Sequence, residues 1–383
     1  MNLNGPVNYV RMKNKDKEIY IFSDVHYSPS YQTKCDMSTL NHDFDNYLKV
    51  FLDKTKETID FFLEISDVKN KNCYTNQMYL HNIRKLFKSL KYGESKYSNV
   101  RFHFTDIRQD SNLWNHDIII KLKNDLYYDN NITLFLDNLN DIMLFFKELL
   151  GAFSIILEKK DFPTDKLNEL KKNYLNEYLM KILNKILNEK KYHSKNTYNI
   201  IRKYISDKIF YLLAFICIKL STIFDNSAKI EKEYLDEKKT NYTKINEYKI
   251  EKKIVFKSIK MDTYPEKYLN NTEDTIFILD EIYTLILEFQ SKFMDLYFLR
   301  RFLDKDYIKK GIMYCGEYHF VHYISFLVKY FDFEILECDK FYIVSNIKEL
   351  EKKLKMEDFE DCYKYFSPDN YNQCIHLKKD LFT

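Results

Sequence analysis

Four apolar runs in this chain end in groups that can move protons or hold a metal ion. Ile19-Tyr20-Ile21-Phe22 leads into Ser23-Asp24-Val25-His26, and Phe61-Phe62-Leu63 leads into Glu64. Val100-Arg101-Phe102-His103-Phe104 leads into Thr105-Asp106-Ile107-Arg108, and Ile312-Met313-Tyr314-Cys315 into Gly316-Glu317-Tyr318-His319. An imidazole titrates near neutral pH and ligates metals, so His26 and His319 are the foremost candidates. A lone histidine at a strand end is ordinarily just hydrogen-bonded, but these two share one context, small residue, acid, any residue, His. Asp24 and Glu317 are then supporting groups that orient the rings or neutralise a bound metal. Glu64 follows three apolar residues directly. It is partly buried and needs a partner or a raised pKa, and both conditions favour acid–base work. The plain alternative is a structural ion pair, Glu64–Arg108 or Asp106–Arg108. His103, one step inside its strand, reads as a core residue, and His322 either joins the site or faces solvent.

Strands must carry these groups. Runs this continuous in apolar character are what parallel strands covered on both faces require. Ser38 is the expected N-cap of a helix over Leu40–Lys56, whose Phe44, Leu48, Phe51 and Leu52 fall at helical spacing. A strand over Thr58–Ile65, a helix over Tyr74–Leu90 closed by Tyr92-Gly93, and a strand over Asn99–Phe104 follow. Strand starts about 40 residues apart leave room for βαβ crossovers. Residues 1–18 read as a mobile or edge segment. After Gly311 the pattern resumes with a strand over Ile312–Cys315, a helix over Phe320–Phe331, a strand over Phe333–Cys338 and a last apolar stretch, Phe341–Val344. A tail helical from Lys348 turns irregular after Ser367-Pro368.

Between these blocks the spacing is helical: Ile132–Leu157, Pro163–Leu187, Thr197–Phe224 and Glu273–Phe302. Ser227–Thr263, rich in lysine and glutamate, reads as a solvated helical hairpin in which Ile254-Val255-Phe256 allows a short strand. The expected fold is therefore α/β, a mostly parallel sheet split by a large all-helical insertion. Residues 1–110 and 311–383 form the two halves of the α/β domain, and 111–310 the helical lobe. Ligands of such sheets bind outside the carboxyl ends of the strands, where all four motifs converge.

Composition narrows the function classes. Sixty Lys plus Arg stand against 57 Asp plus Glu over 383 residues, net +3. That gives no broad basic field, so nucleic acid is not the expected partner. The seven cysteines are odd in number and never spaced CxxC. Disulfide-framework and structural-zinc readings therefore fail, and reduced thiols in an intracellular, cytosol-like compartment are expected. Met1–Glu18 is polar where a secretory signal would be apolar. Ile209–Ile218 ends at Lys219, short of the ~20 residues a spanning helix needs, and reads as a buried core helix. Five Gly and five Pro amid abundant Lys, Asn, Ile, Tyr and Phe suit an A+T-rich genome, such as that of a large DNA virus or an intracellular parasite.

The motifs resemble those of the TraB/Tiki/erythromycin-esterase-like superfamily: small-x-x-His after the first strand, a strand-ending Glu, acid-x-Arg, and Gly-x-x-His after a C-terminal strand. Here these are Ser23-Asp24-Val25-His26, Glu64, Asp106-Ile107-Arg108 and Gly316-Glu317-Tyr318-His319. Ser23 replaces the usual Gly, and the likeness covers two blocks of the chain, leaving the helical lobe out. The resemblance implies a hydrolase; some members are metal-dependent peptidases, others metal-free esterases using His and Glu, and one branch binds haem. On that reading His26, Glu64, Asp106, Arg108 and His319 are catalytic. His26, Glu64 and His319 would hold any metal, zinc by their number and type, manganese if more carboxylates joined. The imidazoles or metal would deprotonate water, Glu64 would protonate the leaving group of a small-molecule, ester or peptide substrate, and Arg108 would steady the oxyanion. Asp24-Val25-His26 also resembles the opening motif of calcineurin-like metallophosphoesterases, but their Gly-Asp-x-x-Asp, Gly-Asn-His and Gly-His-x-His motifs do not follow. A catalytically dead α/β scaffold used for binding is the non-enzyme alternative.

Overall fold

The computed structural model describes residues 1–25, 35, 41–65, 80, 82–84, 97–107, 116–127, 132–158, 175–242, 266–367, 372–378 and 381. It is a mixed α/β protein with two compact units. The first comprises Met1–Asp110, Tyr192–Ile200 and Met294–Thr383; the second comprises Ser111–Lys191 and Ile201–Phe293.

The first unit is built on strands β1 (Asn2–Asn4), β2 (Asn8–Lys13), β3 (Glu18–Asp24), β4 (Asn41–Asp43), β5 (Ile59–Leu63), β6 (Val100–Phe104), β7 (Lys310–Gly316), β8 (Glu334–Cys338) and β9 (Cys374–His376). Six form one sheet in the order β6-β5-β7-β3-β2-β8, and β4-β1-β9 form a small second sheet. The pairs β6–β5, β5–β7 and β7–β3 are parallel, whereas β2 runs antiparallel to both β3 and β8. Late in sequence, β7 thus slots between β5 and β3, which brings the motifs of the chain's two ends side by side.

β5 is buried at every position and β7 at all but its first, as parallel strands covered on both faces should be. Side chains alternate across the sheet. Phe22, Phe61, Leu63, Ile312 and Tyr314 pack in one cluster with Phe44, Leu48 and Phe51 of the helix Phe44–Lys54. Phe62 faces the other way and meets Phe298 edge-on at 4.9 Å between ring centroids, near the C-terminal end of the long helix Glu266–Asp304. Behind it, a Cβ on Gly311 would lie 3.0 Å from the Phe302 ring, so only glycine lets β7 approach that helix.

Several local expectations are corrected. Residues 1–18 are no edge: β2 lies inside the sheet, with Val10 and Met12 fully buried. The first helix starts at Phe44 rather than Leu40, because Asn41–Asp43 pairs with β1 and leaves Asp43 at the N-cap position. The expected cap Ser38 lies outside the described residues, as does most of Tyr74–Leu90. Phe341–Val344 is no strand, since Ile343 turns the backbone to φ 69°. The tail is not irregular to its end, because Cys374–His376 pairs with β1. Cys35 and Cys374 form a disulfide, so the expectation of reduced thiols throughout is wrong for this pair. The other described cysteines, Cys217, Cys315, Cys338 and Cys362, are free and buried.

The second unit is helical, with Ile132–Glu158 and Phe210–Tyr242 its longest complete members. Glu177–Leu187 starts where the Asn176 side chain accepts the Leu179 N–H at 2.7 Å; the earlier turns expected from Pro163 lie outside the described residues, as does Ile254-Val255-Phe256. Phe146 and Phe153 pack edge-on against Phe289 and Phe293. One described stretch, Lys195–Lys229, is long and apolar enough to cross a membrane by length and composition, an 18-residue window within it having mean hydropathy 1.6. Leu213, Ile216 and Leu220 on it are fully buried while Tyr211, Phe215 and Ile218 are exposed, so it is only partly the core helix expected and gives no clear membrane span.

Candidate functional site

Glu64 leaves β5 at its carboxyl end, beside the end of β7. Its Oε2 accepts the Gly316 N–H at 2.6 Å and its Oε1 lies 3.1 Å from His319 Nε2. Gly316 is the N-cap of the helix Glu317–Phe331. The carboxylate therefore sits at a helix N-terminus, where the unpaired amides and the dipole favour negative charge. His319, in the first turn of that helix, is 4% exposed, and its Nδ1 lies 2.6 Å from Asp295 Oδ1. The other oxygen of Asp295 bonds His322 Nδ1. The result is a continuous buried chain, Glu64–His319–Asp295–His322. His322, one of the two open alternatives, is thereby inside the site, its ring edge-on to Phe359.

Charge states follow from these contacts. Burial alone would lower the pKa of His319, but Asp295 and Glu64, one on each ring nitrogen, raise it to about 10. An imidazole donates from both nitrogens only as the cation. Burial would raise the Asp295 carboxyl, yet His319 and His322 hold it below the ordinary carboxylate value. The neighbouring thiol of Cys315 is pushed far up by burial and by the charges of Glu64, Asp295 and Asp24, which makes it inert as a nucleophile.

Of the residues singled out in the sequence, Glu64 and His319 are brought into contact. Asp24 stands level with Gly316 in the β3–β7 register and is 2% exposed. Ser23, before it, has a buried hydroxyl with no hydrogen-bond partner among the described residues. Asp106 lies two residues beyond the end of β6, on the same edge of the sheet. His26 and Arg108 lie outside the described residues, so the ion pairs expected of Arg108 do too. Glu317 does not orient a ring: its Oε1 accepts the Ser367 hydroxyl at 2.6 Å, and Asp295 holds His319 instead. His103 is half-buried, its Nε2 2.8 Å from the fully buried Asp60, which Arg101 also binds.

Asp295 escaped the motif reading because it belongs to a helix, not a strand end. Its signal was present nonetheless. It lies on the apolar stripe with Phe298, Leu299 and Phe302, where an acid demands a buried partner. The three-ligand metal set expected at His26, Glu64 and His319 includes His26, which lies outside the described residues. His319 already spends both nitrogens on carboxylates, and no group of three or more potential ligands is placed to hold a metal among the described residues.

Comparison with known proteins places the chain among viral ones. It is 27% identical to "Uncharacterized protein R706" of Acanthamoeba polyphaga mimivirus over 98% of this chain and 95% of the relative. It is 28% identical to "Uncharacterized protein R161" of the same virus over 89% of this chain and 88% of the relative. These relatives support a viral origin, and nothing in the comparisons supports the likeness to the TraB/Tiki group. No solved structure is a significant match. The family model of DUF5847, a family of unknown function, matches residues 1–381, and the chain belongs to that family.

Proposed function

We propose that Glu64, His319 and Asp295 are the acid–base machinery of a hydrolase acting on a small ester or peptide substrate, and that the helical unit is an insertion into the α/β domain. The observation that carries this reading is a histidine with a carboxylate on each ring nitrogen, set at the carboxyl edge of parallel strands. The charge states exchange the roles expected from the motifs. A cationic His319 cannot take a proton from water; it can give one. Glu64 accepts the proton as water adds to the carbonyl carbon, and His319 Nε2 delivers its own to the departing oxygen or nitrogen as that bond breaks. The proton on Glu64 then returns to His319, restoring both groups. Asp295 fixes the ring and balances its charge throughout, as the buried acid of a catalytic triad does.

The competing reading is a binding scaffold. It is favoured by the mutual satisfaction of all four groups, which a purely structural network would also show. A screen of the full chain on ester, peptide and phosphate substrates, with added zinc or manganese and with chelator, decides between them. Glu64→Gln should lower the rate ~10²-fold or more in a protein that still folds, because glutamine keeps the Gly316 N–H bond; its melting temperature should fall, since one of the two charges facing His319 is lost. Unchanged rates in Glu64→Gln, or no hydrolysis of any substrate, would replace this proposal with the scaffold.

A further inference from the structure

At the opposite, amino edge of the same strands lies an open cleft of about 510 Å³. The β2–β3 turn, the approach to β5 and the start of β7 line it. Five lysines face it, Lys13, Lys15, Lys17, Lys309 and Lys310, in a chain that is otherwise close to neutral. Its acids are largely spent. Glu18 is held by Arg11 at 2.7 Å, and Glu57 by Lys310 at 2.6 Å. Of the lining residues that leaves Lys13, Lys15, Lys17 and Lys309 against Asp16, with Asp306 and Asp60 also close enough to act on Lys17. Among the described residues Lys13, Lys15 and Lys309 pair with no carboxylate, and all three are exposed.

Lys17 differs from the rest. It is 7% exposed, and its Nζ donates to the carbonyls of Lys305 at 2.7 Å and Ile308 at 2.8 Å, beyond the last turn of the long helix. The turn bearing it is rigid, because Asn14 Oδ1 accepts the N–H groups of both Asp16 and Lys17. Burial, together with the charge of Lys309, lowers its pKa to about 8. The cleft thus has a buried cationic floor and exposed cationic walls whose charges repel one another.

We propose that this cleft binds a compact ligand carrying two or more phosphate groups. The volume suits a small molecule rather than a chain segment. Lysine ammonium groups act as point charges without the planar fork of arginine, so recognition rests on multiplied charge rather than on the shape of one phosphate. A monoanion gains little in so open a place, whereas a polyphosphate neutralises several amines at once. The lysines being exposed, binding weakens steeply with salt.

The test is titration calorimetry of the full chain with inorganic tripolyphosphate and, separately, with ATP, both without magnesium and at low ionic strength. Saturable binding of tripolyphosphate at one site is expected. Equal affinity for ATP assigns recognition to the phosphate chain, and tighter binding of ATP adds a contact to the nucleoside. The Lys15→Ala/Lys309→Ala variant should weaken either ligand by about tenfold, the cost of losing two screened contacts, with an unchanged melting temperature. The control pair Lys352→Ala/Lys355→Ala, on the helix Ile347–Met356, should not. Absence of saturable binding, or equal loss in both variants, overturns the proposal. Hydrolase activity is not read in this experiment, so its outcome is independent of the carboxyl-edge site.

Discussion

His319 links folding to proton chemistry through one ring. Its pKa rises from the ordinary 6.5 to about 10, because the gain from Asp295 and Glu64 exceeds the cost of burying the cation. A group whose folded-state pKa is raised contributes stability that is fully present below the unfolded value and lost as pH rises through the folded one. Unfolding free energy measured by denaturant should therefore fall between pH 6.5 and about 10. Lys17, lowered to about 8, adds a rise of opposite sign to both proteins, so the fall is read as the difference between wild type and His319→Gln; a difference flat across the same window would show that the ring is neutral and not the proton donor proposed. The acid limb has the opposite sign. Asp295 is held below its ordinary value, so its contribution is present above pH 3.8 and disappears as pH drops further. Breaking the chain at this residue is costly, since Asp295→Asn leaves a buried imidazolium facing fewer charges, and a loss of about 3–5 kcal/mol is expected.

At the scale of elements, what was legible was what strand periodicity encodes. The runs at Ile19, Phe61, Val100 and Ile312 are all strands of one sheet, because continuous apolar character has few other uses in segments so short. What was not legible was carried by partners distant in sequence. Asn8–Lys13 reads as half polar, yet becomes an inner strand through β3 on one side and β8 on the other. Asn41–Asp43 and Cys374–His376 are too short and too polar to announce themselves, and exist as strands by pairing with β1. Asp295 was hidden because its two imidazole partners lie on another helix. The approach of β7 to the long helix is a further such dependence, and it can be measured. Gly311→Ala would force the Phe302 ring, itself packed against Phe298 and Phe333, to shift. A loss of roughly 1–3 kcal/mol in urea unfolding is expected for such overpacking. An unchanged midpoint would mean that the aromatic layer yields freely.

Across the whole molecule, the chain's two ends are sewn together twice. Hydrogen bonds join them first: Met1 and Leu377 exchange backbone bonds in both directions, and the Lys340 ammonium binds the carbonyls of Val7 and Cys374. The Cys35–Cys374 bond then joins positions 339 residues apart in sequence. Closing so long a loop restricts the unfolded chain strongly, and a contribution of about 2–4 kcal/mol is the common range, loop entropy alone allowing somewhat more. The hydrogen-bonded seam should hold the small sheet together without it, so reduction is expected to weaken the first unit rather than unfold it. Thermal unfolding with and without dithiothreitol, repeated on Cys35→Ser/Cys374→Ser, measures this. A melting temperature lowered equally by reductant and by the double substitution, with the reductant having no further effect on the variant, assigns the stability to this bond. Equal melting in all four conditions would mean that the seam alone holds the ends.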